Sequence, residues 1–329
     1  MTPHDELDVI GIGNALVDVL CHESDAFLER HDLAKGTMHL IDEARARALY
    51  DAMGPAVEIS GGSAANTIVG VASFGGRAHY VGKVRDDQLG EVFSHDLRSV
   101  GVGYTTPMAT SGPSTGRCLI VVTPDAQRTM NTYLGASTQL GPGDVDARLI
   151  ARGRFLYLEG YLFDPPEAQA AFRAAAGFAH AAGRKVALTL SDPFCVNRHR
   201  AAFVDLVERH VDVLFANEVE ICALYEANDF DTALQRVRGQ CEIAALTRSE
   251  RGSVVVAARD VHVVDAQPAS AVVDTTGAGD LYAAGFLFGL SRGMDLAACG
   301  RLGSLAAAEV ISHVGARPLA PLAEMAGAV

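Results

Sequence analysis

At 329 residues, 49% of them hydrophobic, the chain is long enough to bury one large α/β core with a small appendage. A formal net charge of −13 and a pI of about 5.2 exclude a nucleic-acid backbone as partner, because binding phosphate chains needs a basic surface. No uncharged apolar run reaches transmembrane length, so no membrane partner is expected. Six scattered cysteines without a CxxC pair, and an acidic, polar start over residues 1–8, are those expected of a cytoplasmic protein with reduced thiols and no signal peptide.

Residues 7–12 are a short apolar run that predicts a buried first strand. It enters Gly11-Ile12-Gly13-Asn14, a G-x-G that lacks the third glycine and following helix of a dinucleotide fingerprint. Asn14 and Asp18 are polar positions in this apolar segment, open to two readings: turn formation or hydroxyl recognition at a strand end. Residues 25–31 and 42–53 predict helices, with a strand over 37–40 between them. Gly61-Gly62-Ser63-Ala64-Ala65-Asn66 is a glycine-rich turn opening an apolar helix that runs to Phe74. Asn66 lies too far inside to cap a helix starting at Ser63, which favours a ligand role. A strand over 79–83 and a helix over 87–100 follow, the latter with apolar spacing at Leu89, Val92, Phe93 and Leu97.

Residues 118–123 and 128–134, joined by Pro124-Asp125-Ala126-Gln127, predict a hairpin of the kind that closes over a site and excludes water. From residue 155 the rhythm becomes strand–helix. Strands are expected at 155–158, 186–190, 213–216 and 243–246, and helices at 166–181, 200–210, from Glu218 onward and at 230–239. Asp192, Asn217 and Thr247 recur just after strand ends, where open α/β sheets bind ligands. Strands at 253–257 and 261–264 lead to Asp274-Thr275-Thr276-Gly277-Ala278-Gly279-Asp280, read as a tight glycine turn between strand and helix. Gly277 and Gly279 let the backbone approach a ligand, and a helix start there is an anion cradle. Asp280 would repel a static phosphate. It is either a helix-start charge or a base for an attacking hydroxyl. An alanine-rich helix over 295–313 closes the fold, and Arg317-Pro318 begins a short tail.

Three separated elements therefore suggest one site: Asp18 at the first strand end, Gly61-Gly62 with Asn66, and Gly277 to Asp280. In-line phosphoryl transfer needs such a set, namely an oriented hydroxyl, a base and donors for developing charge. No G-x-x-x-x-G-K-[ST], HRD, DFG or G-x-S-x-G motif is present, and the histidines show no metal-ligand spacing.

Taken with Phe74-Gly75-Gly76 and the run from Val81 to Gly90, the two glycine motifs resemble those of the ribokinase-like (PfkB) carbohydrate and nucleoside kinases over nearly the whole chain. The resemblance implies a three-layer α/β/α sandwich with a mostly parallel central sheet. It implies a single domain over 1–329, with a small β lid from strands near 14–20, 35–41, 57–60 and 105–135. It further implies ATP- and Mg²⁺-dependent phosphorylation of a hydroxyl on a small-molecule nucleoside or sugar, by a monomer or homodimer. Asp280 matches the family's base, and Gly277, Ala278 and Gly279 its anion hole. Asp18, Gly62 and Asn66 match the binders of ribose hydroxyls, with Asn14 and Gly61 beside them. Asn217 and Glu220 match an N-x-x-E motif, in which Glu220 would reach Mg²⁺ through water. Thr247 and Gly252 match a nucleotide-binding T-x-G-x-x-G turn, with Ser249 in place of its middle glycine. Asp274 and the Val314-Gly315 turn would serve an alkali cation, K⁺.

Within the family the chain is most similar to the adenosine kinase branch. The similarity rests on the Gly11 to Asp18 segment, Phe27-Leu28-Glu29-Arg30, Met38-His39-Leu40, Gly160-Tyr161-Leu162 and the run from Leu190 to Phe194. Leu16, Leu40, Leu134 and Leu162 are expected to line an apolar slot beside the ribose. Ala64-Ala65 and Tyr161-Leu162 depart from the patterns of animal adenosine kinases. The expected acceptor is the adenosine 5′-hydroxyl, and the alternative is a free sugar (ribose or a ketohexose), inosine or guanosine.

Overall fold

The apolar run Leu7–Ile12 forms strand β1, covered on both faces as a continuous hydrophobic strand requires. A computed structural model describes residues 6–125, 127–257 and 260–327. Residues 1–5 of the acidic start and Ala126 of the expected hairpin turn lie outside the described residues. The further strands are β2 (Leu16–His22), β3 (Met38–Leu40), β4 (Ala56–Gly61), β5 (Ala78–Val81), β6 (Gly103–Tyr104), β7 (Gly116–Val122) and β8 (Arg128–Tyr133). The second half adds β9 (Gly153–Glu159), β10 (Lys185–Thr189), β11 (Val213–Asn217), β12 (Ile243–Thr247), β13 (Ser253–Ala257) and β14 (Asp260–Val264).

Nine strands form the main sheet in the order β14-β13-β12-β11-β10-β9-β1-β5-β6. All pairs from β12 to β6 are parallel, and β13 and β14 are antiparallel additions at one edge. Alternation along each strand divides the buried side chains between two layers. Val9, Tyr157, Ala187 and Phe215 face a core with the helices Ser63–Ser73, Ala278–Ser291 and Leu296–Val310. Ile10, Leu156, Leu158, Leu188 and Leu214 face a second core with Pro166–Ala181, Pro193–His210 and Phe230–Val237. The result is the expected three-layer α/β/α sandwich with a mostly parallel sheet.

A second, mixed sheet of five strands has the order β3-β8-β7-β2-β4. Val17, Val19, Cys21, Leu119 and Val121 on one of its faces belong to a core with Phe27, Leu28, Ala46 and Leu49, from the helices Asp25–Arg30 and Glu43–Ala52. The opposite face carries a cross-strand row, Leu40-Thr132-Cys118-Asp18-Ile59, fixed by the register of all four pairings.

Besides the short helices Ala147–Ile150 and Leu322–Ala326, which were not expected, three features differ from the sequence reading. The helix expected at 200–210 begins at Pro193, because Asp192 caps it through the Cys195 N–H and a proline suits the first turn. His199 breaks its helical geometry (φ −122°), and the sequence signal covers only the half after that break. The Asp274–Asp280 turn does not follow β14 directly, since an irregular stretch from 265 to 277 intervenes. Finally, Gly103–Tyr104 adds an edge strand to the main sheet where none was foreseen.

Candidate functional site

Two helix starts converge above the carboxyl ends of the parallel strands. The helices Ser63–Ser73 and Ala278–Ser291 approach closely because Gly70 has no side chain; a Cβ there would lie 2.6 Å from the Ala284 Cβ. Gly62 and Gly277, the N-caps, take positive φ values of 98° and 80° that glycine alone adopts without strain. A Cβ on Gly62 would come within 2.3 Å of the Asn14 carbonyl oxygen, and one on Gly277 within 2.9 Å of Ala316 backbone. The turn thus brings Asp280 beside the other helix start. There the Ser63 hydroxyl donates to Asp280 Oδ1 at 2.6 Å and the Asn66 amide donates to Oδ2 at 3.1 Å. Among the described residues no acceptor takes the N–H groups of Gly277, Gly279 and Asp280. These donors, with the positive end of the helix dipole, form an anion cradle next to the Asp280 carboxylate.

Asp18 stands on β2 directly over Gly61, where a Cβ would lie 2.5 Å from the carboxylate. Its carboxyl accepts no hydrogen bond among the described residues. Burial pushes Asp18 up to about 6 against the nearby Arg128 and Arg317, and burial likewise pushes Asp280 up to about 6 against its hydrogen bonds from Ser63 and Asn66. Glu159, at the end of β9, was not singled out in the sequence. It accepts from the Asn14 N–H (3.1 Å), the Asn14 amide (2.8 Å) and the Ala64 N–H (2.7 Å). Burial nonetheless raises it to about 7. A signal was present: Glu159 ends a strand just before Gly160, the same kind of position as Asn217 and Thr247.

Several expected residues take specific places. Asn14 is buried, and its amide is committed to Glu159 and to the Ser137 hydroxyl, so it braces the acceptor region from beneath. Leu40 and Leu134 line one cavity of about 240 Å³ with Ile41, Thr132 and Thr138. Leu162 is absent from it and packs inside the second core, only 1% exposed, whereas Tyr161 is 39% exposed and its hydroxyl pKa is raised by burial and by the negative charge of Asp280, Asp192 and Glu220. Leu16 lies against Gly116 at the base of the small sheet.

Asn217 and Glu220 close a capping box: the Glu220 carboxylate accepts the Asn217 N–H and amide, and the Asn217 oxygen accepts the Glu220 N–H. Burial raises Glu220 to about 7. Asn217 and Thr247 are register partners on adjacent strands. After Thr247 the chain turns through Ser249, which holds a left-handed φ of 52° where the motif has glycine, and Gly252, whose Cβ would strike the Val264 carbonyl at 2.0 Å. Asp274 accepts from the Thr276 and Gly315 N–H groups and pairs with Arg128 of β8. Burial alone would raise its pKa, but these partners hold it below the usual value. With Arg128 already neutralising the Asp274 carboxylate, an alkali ion at this loop would have to be held by backbone oxygens. Among the described residues no cluster of three or more His, Cys, Asp or Glu could hold a metal.

The sequence matches the family described as pfkB family carbohydrate kinase over residues 52–323. The chain belongs to that family. The structure superimposes on an adenosine kinase from Sinorhizobium meliloti with a TM-score of 0.91 and 53% identity, covering 98% of this chain and 99% of that one. A probable sugar kinase from Rhizobium etli CFN 42 gives the same TM-score of 0.91 with 49% identity over 98% of both chains. An adenosine kinase from Saccharomyces cerevisiae is 26% identical over 93% of this chain and 95% of its own. The pfkB kinase is thus an ATP-dependent phosphotransferase acting on a small polar acceptor, a nucleoside or a sugar. No helix among the described residues is long and apolar enough to cross a membrane.

Proposed function

We propose that this pfkB kinase transfers the γ-phosphoryl group of ATP to the 5′-hydroxyl of adenosine. The observation that carries this reading is the row Leu40-Thr132-Cys118-Asp18-Ile59 on one face of the small sheet. Neighbouring strands lie about 4.8 Å apart, so Thr132 is about 10 Å from Asp18 along the row. That separation suits a nucleoside whose ribose diol binds the open Asp18 carboxylate while its base reaches the apolar cavity of Leu40 and Leu134. A free sugar has no use for the apolar end.

In this reading Asp280 takes the proton of the 5′-hydroxyl as its oxygen attacks phosphorus. Each Asp280 oxygen already accepts one hydrogen bond, from Ser63 or Asn66, and keeps a lone pair for the substrate. The free N–H groups of Gly277, Gly279 and Asp280 receive the charge that develops on the transferring group; the Ala278 N–H is already taken by the Thr275 carbonyl. The turn from Thr247 through Ser249 to Gly252, beside Asn217, holds the nucleotide. Mg²⁺ would arrive on the ATP phosphates and neutralise their charge, with Glu220 facing its water shell. The small sheet serves as the lid, tied to the anion turn by the Arg128–Asp274 pair.

A sugar acceptor is the second reading, favoured by the likeness, at the same TM-score of 0.91, to the Rhizobium etli probable sugar kinase. The deciding experiment measures ADP release with Mg·ATP and a panel of adenosine, inosine, guanosine, ribose and ketohexoses, with and without K⁺. The proposal expects the highest kcat/KM with adenosine. A higher value with a free sugar, or no ADP release with any acceptor, overturns it.

A further inference from the structure

Arg317 enters none of the roles above, yet it lies at the centre of the site's charges. Its Nε–H donates to the Asn66 side-chain oxygen at 3.2 Å. Its Nη2 is shut off from solvent and makes no hydrogen bond, and it forms no ion pair among the described residues. The carboxylates that act on it belong to Asp18, Asp96 and Asp280, together with the Tyr80 hydroxyl. A half-buried guanidinium with one nitrogen shut off from both solvent and any partner is costly to keep. The sequence showed it only as the start of the tail.

The connection to Asp280 is directional. A guanidinium can only donate, so the Asn66 atom facing Arg317 must be the oxygen. The Asn66 amide nitrogen is then turned to Asp280 Oδ2, to which it donates. Arg317, Asn66 and Asp280 form a chain of two hydrogen bonds pointing the same way, and each bond polarises the next.

The other groups around Asp280 are predominantly acidic. They are Asp18 on β2, Tyr157 and Glu159 on β9, Tyr161 just after it, and Glu220 on the helix Glu218–Tyr225. Ser63 and Asn66, from the helix Ser63–Ser73, are neutral. Arg128 faces Asp18, and Arg317 is the cation that acts on both Asp18 and Asp280.

We propose that Arg317 is a positioning residue for phosphoryl transfer: through Asn66 it fixes the orientation of Asp280, and its charge lets Asp280 and Asp18 be ionised together. This rests on the reading of Asp280 as the base. The test compares Arg317→Gln and Arg317→Lys in the full chain, by ADP release from pH 5 to 9 with the acceptor found active in the panel. Arg317→Gln is expected to move the acid limb of kcat/KM up by about one pH unit, a tenfold loss on that limb that recovers at high pH. KM for ATP stays within about twofold, because the residue does not touch the nucleotide turn. Arg317→Lys keeps the charge but not the planar fork, so its acid limb stays in place while kcat falls several-fold at every pH.

An unmoved acid limb in Arg317→Gln overturns the proposal, whether kcat is intact or uniformly lower. If that variant does not fold, Arg317→Lys decides, and wild-type kcat in the lysine variant overturns it. Asp280→Asn separates the two levels of the argument. An active Asp280→Asn enzyme removes the base assignment and this inference with it. A dead Asp280→Asn enzyme beside an unmoved Arg317→Gln limb removes the role of Arg317 alone.

Discussion

Glu159→Ala tests whether the acceptor side of the site is braced from within the main sheet. The Glu159 carboxylate is 1% exposed and accepts three hydrogen bonds, at 3.1, 2.8 and 2.7 Å, from Asn14 and Ala64. Truncation leaves three buried donors without an acceptor, at about 1–3 kcal/mol each. Water entering the vacated volume recovers part of this, and removing a carboxyl that burial already disfavours recovers more. The expected loss is therefore in the lower half of the sum, about 3–5 kcal/mol. Glu159→Gln keeps the shape and one oxygen but turns an NH₂ towards a donor, and is expected to lose about 2 kcal/mol. Urea unfolding of the ligand-free protein at pH 7 reads both values. The acceptor KM should rise more than the ATP KM, because Asn14 and the Ser63 helix start lose their common anchor. A loss below about 1 kcal/mol in Glu159→Ala, with both KM values unchanged, would refute the bracing argument.

Asp280→Asn removes the base and is expected to lower kcat about 10²–10⁴-fold with both substrates still bound; near-wild-type turnover contradicts the assignment. Asp18 and Asp280 are raised to about 6, and Glu159 and Glu220 to about 7, so their contribution to stability is present at acid pH and lost as pH rises through those values. His79, lowered to about 4 by burial, works the other way but is one group against four, so the ligand-free melting temperature should be lower at pH 8 than at pH 5.5. A rising melting temperature over that interval counts against the raised carboxyls. Arg128→Met breaks the buried pair with Asp274, whose side chains are 9% and 6% exposed, and should cost about 3 kcal/mol with faster amide exchange in β7 and β8; unchanged exchange there denies the tie. Ser249→Gly relieves a left-handed φ of 52° and should raise stability by up to about 1 kcal/mol without raising the ATP KM; a loss of stability would show that the serine is held by something other than the turn.

What the sequence made legible were features set by near neighbours. Asp42 and Asp87 cap helices through the N–H three residues on, and both starts were readable to the residue. The two glycine helix starts were readable for the same reason. The features that escaped depend on distant partners. The row through Asp18 needs β2 to pair in parallel with β7, a strand 100 residues away, at a register that no local pattern states. Leu162, expected in the apolar slot, enters the core instead because a short 3-10 turn, Gly160–Phe163, decides which side chain faces inward, and a one-residue difference reverses the answer. Glu159 and Arg317 reach Asn14 and Asn66 across 145 and 251 residues.

Hydrogen bonding also sorts the site's acids by task. Four carboxyls crowd a place that must receive a triphosphate, in a chain of net charge −13. Glu159 and Glu220 have both oxygens taken by N–H donors of their own chain, Asn14 and Ala64 for one and Asn217 for the other. Both hold backbone in place, and Glu159, with two bonds on one oxygen and one on the other, has least left for a ligand. Asp18 accepts nothing, and Asp280 accepts one bond at each oxygen. Glu220 also accepts one bond at each oxygen, but it is only 6% exposed, whereas Asp18 and Asp280 are half-buried and open to a ligand, as the proposed binding of a diol and uptake of a proton require. In the proposed reaction the phosphate would be met by backbone N–H groups, whose positive ends need no counter-ion, in a turn tied to the small sheet by the Arg128–Asp274 pair. On the proposed reading an acidic protein can handle ATP because its carboxylates are either braced by donors of the chain or turned to hydroxyls, and the turn offered to the phosphate is built on glycine backbone.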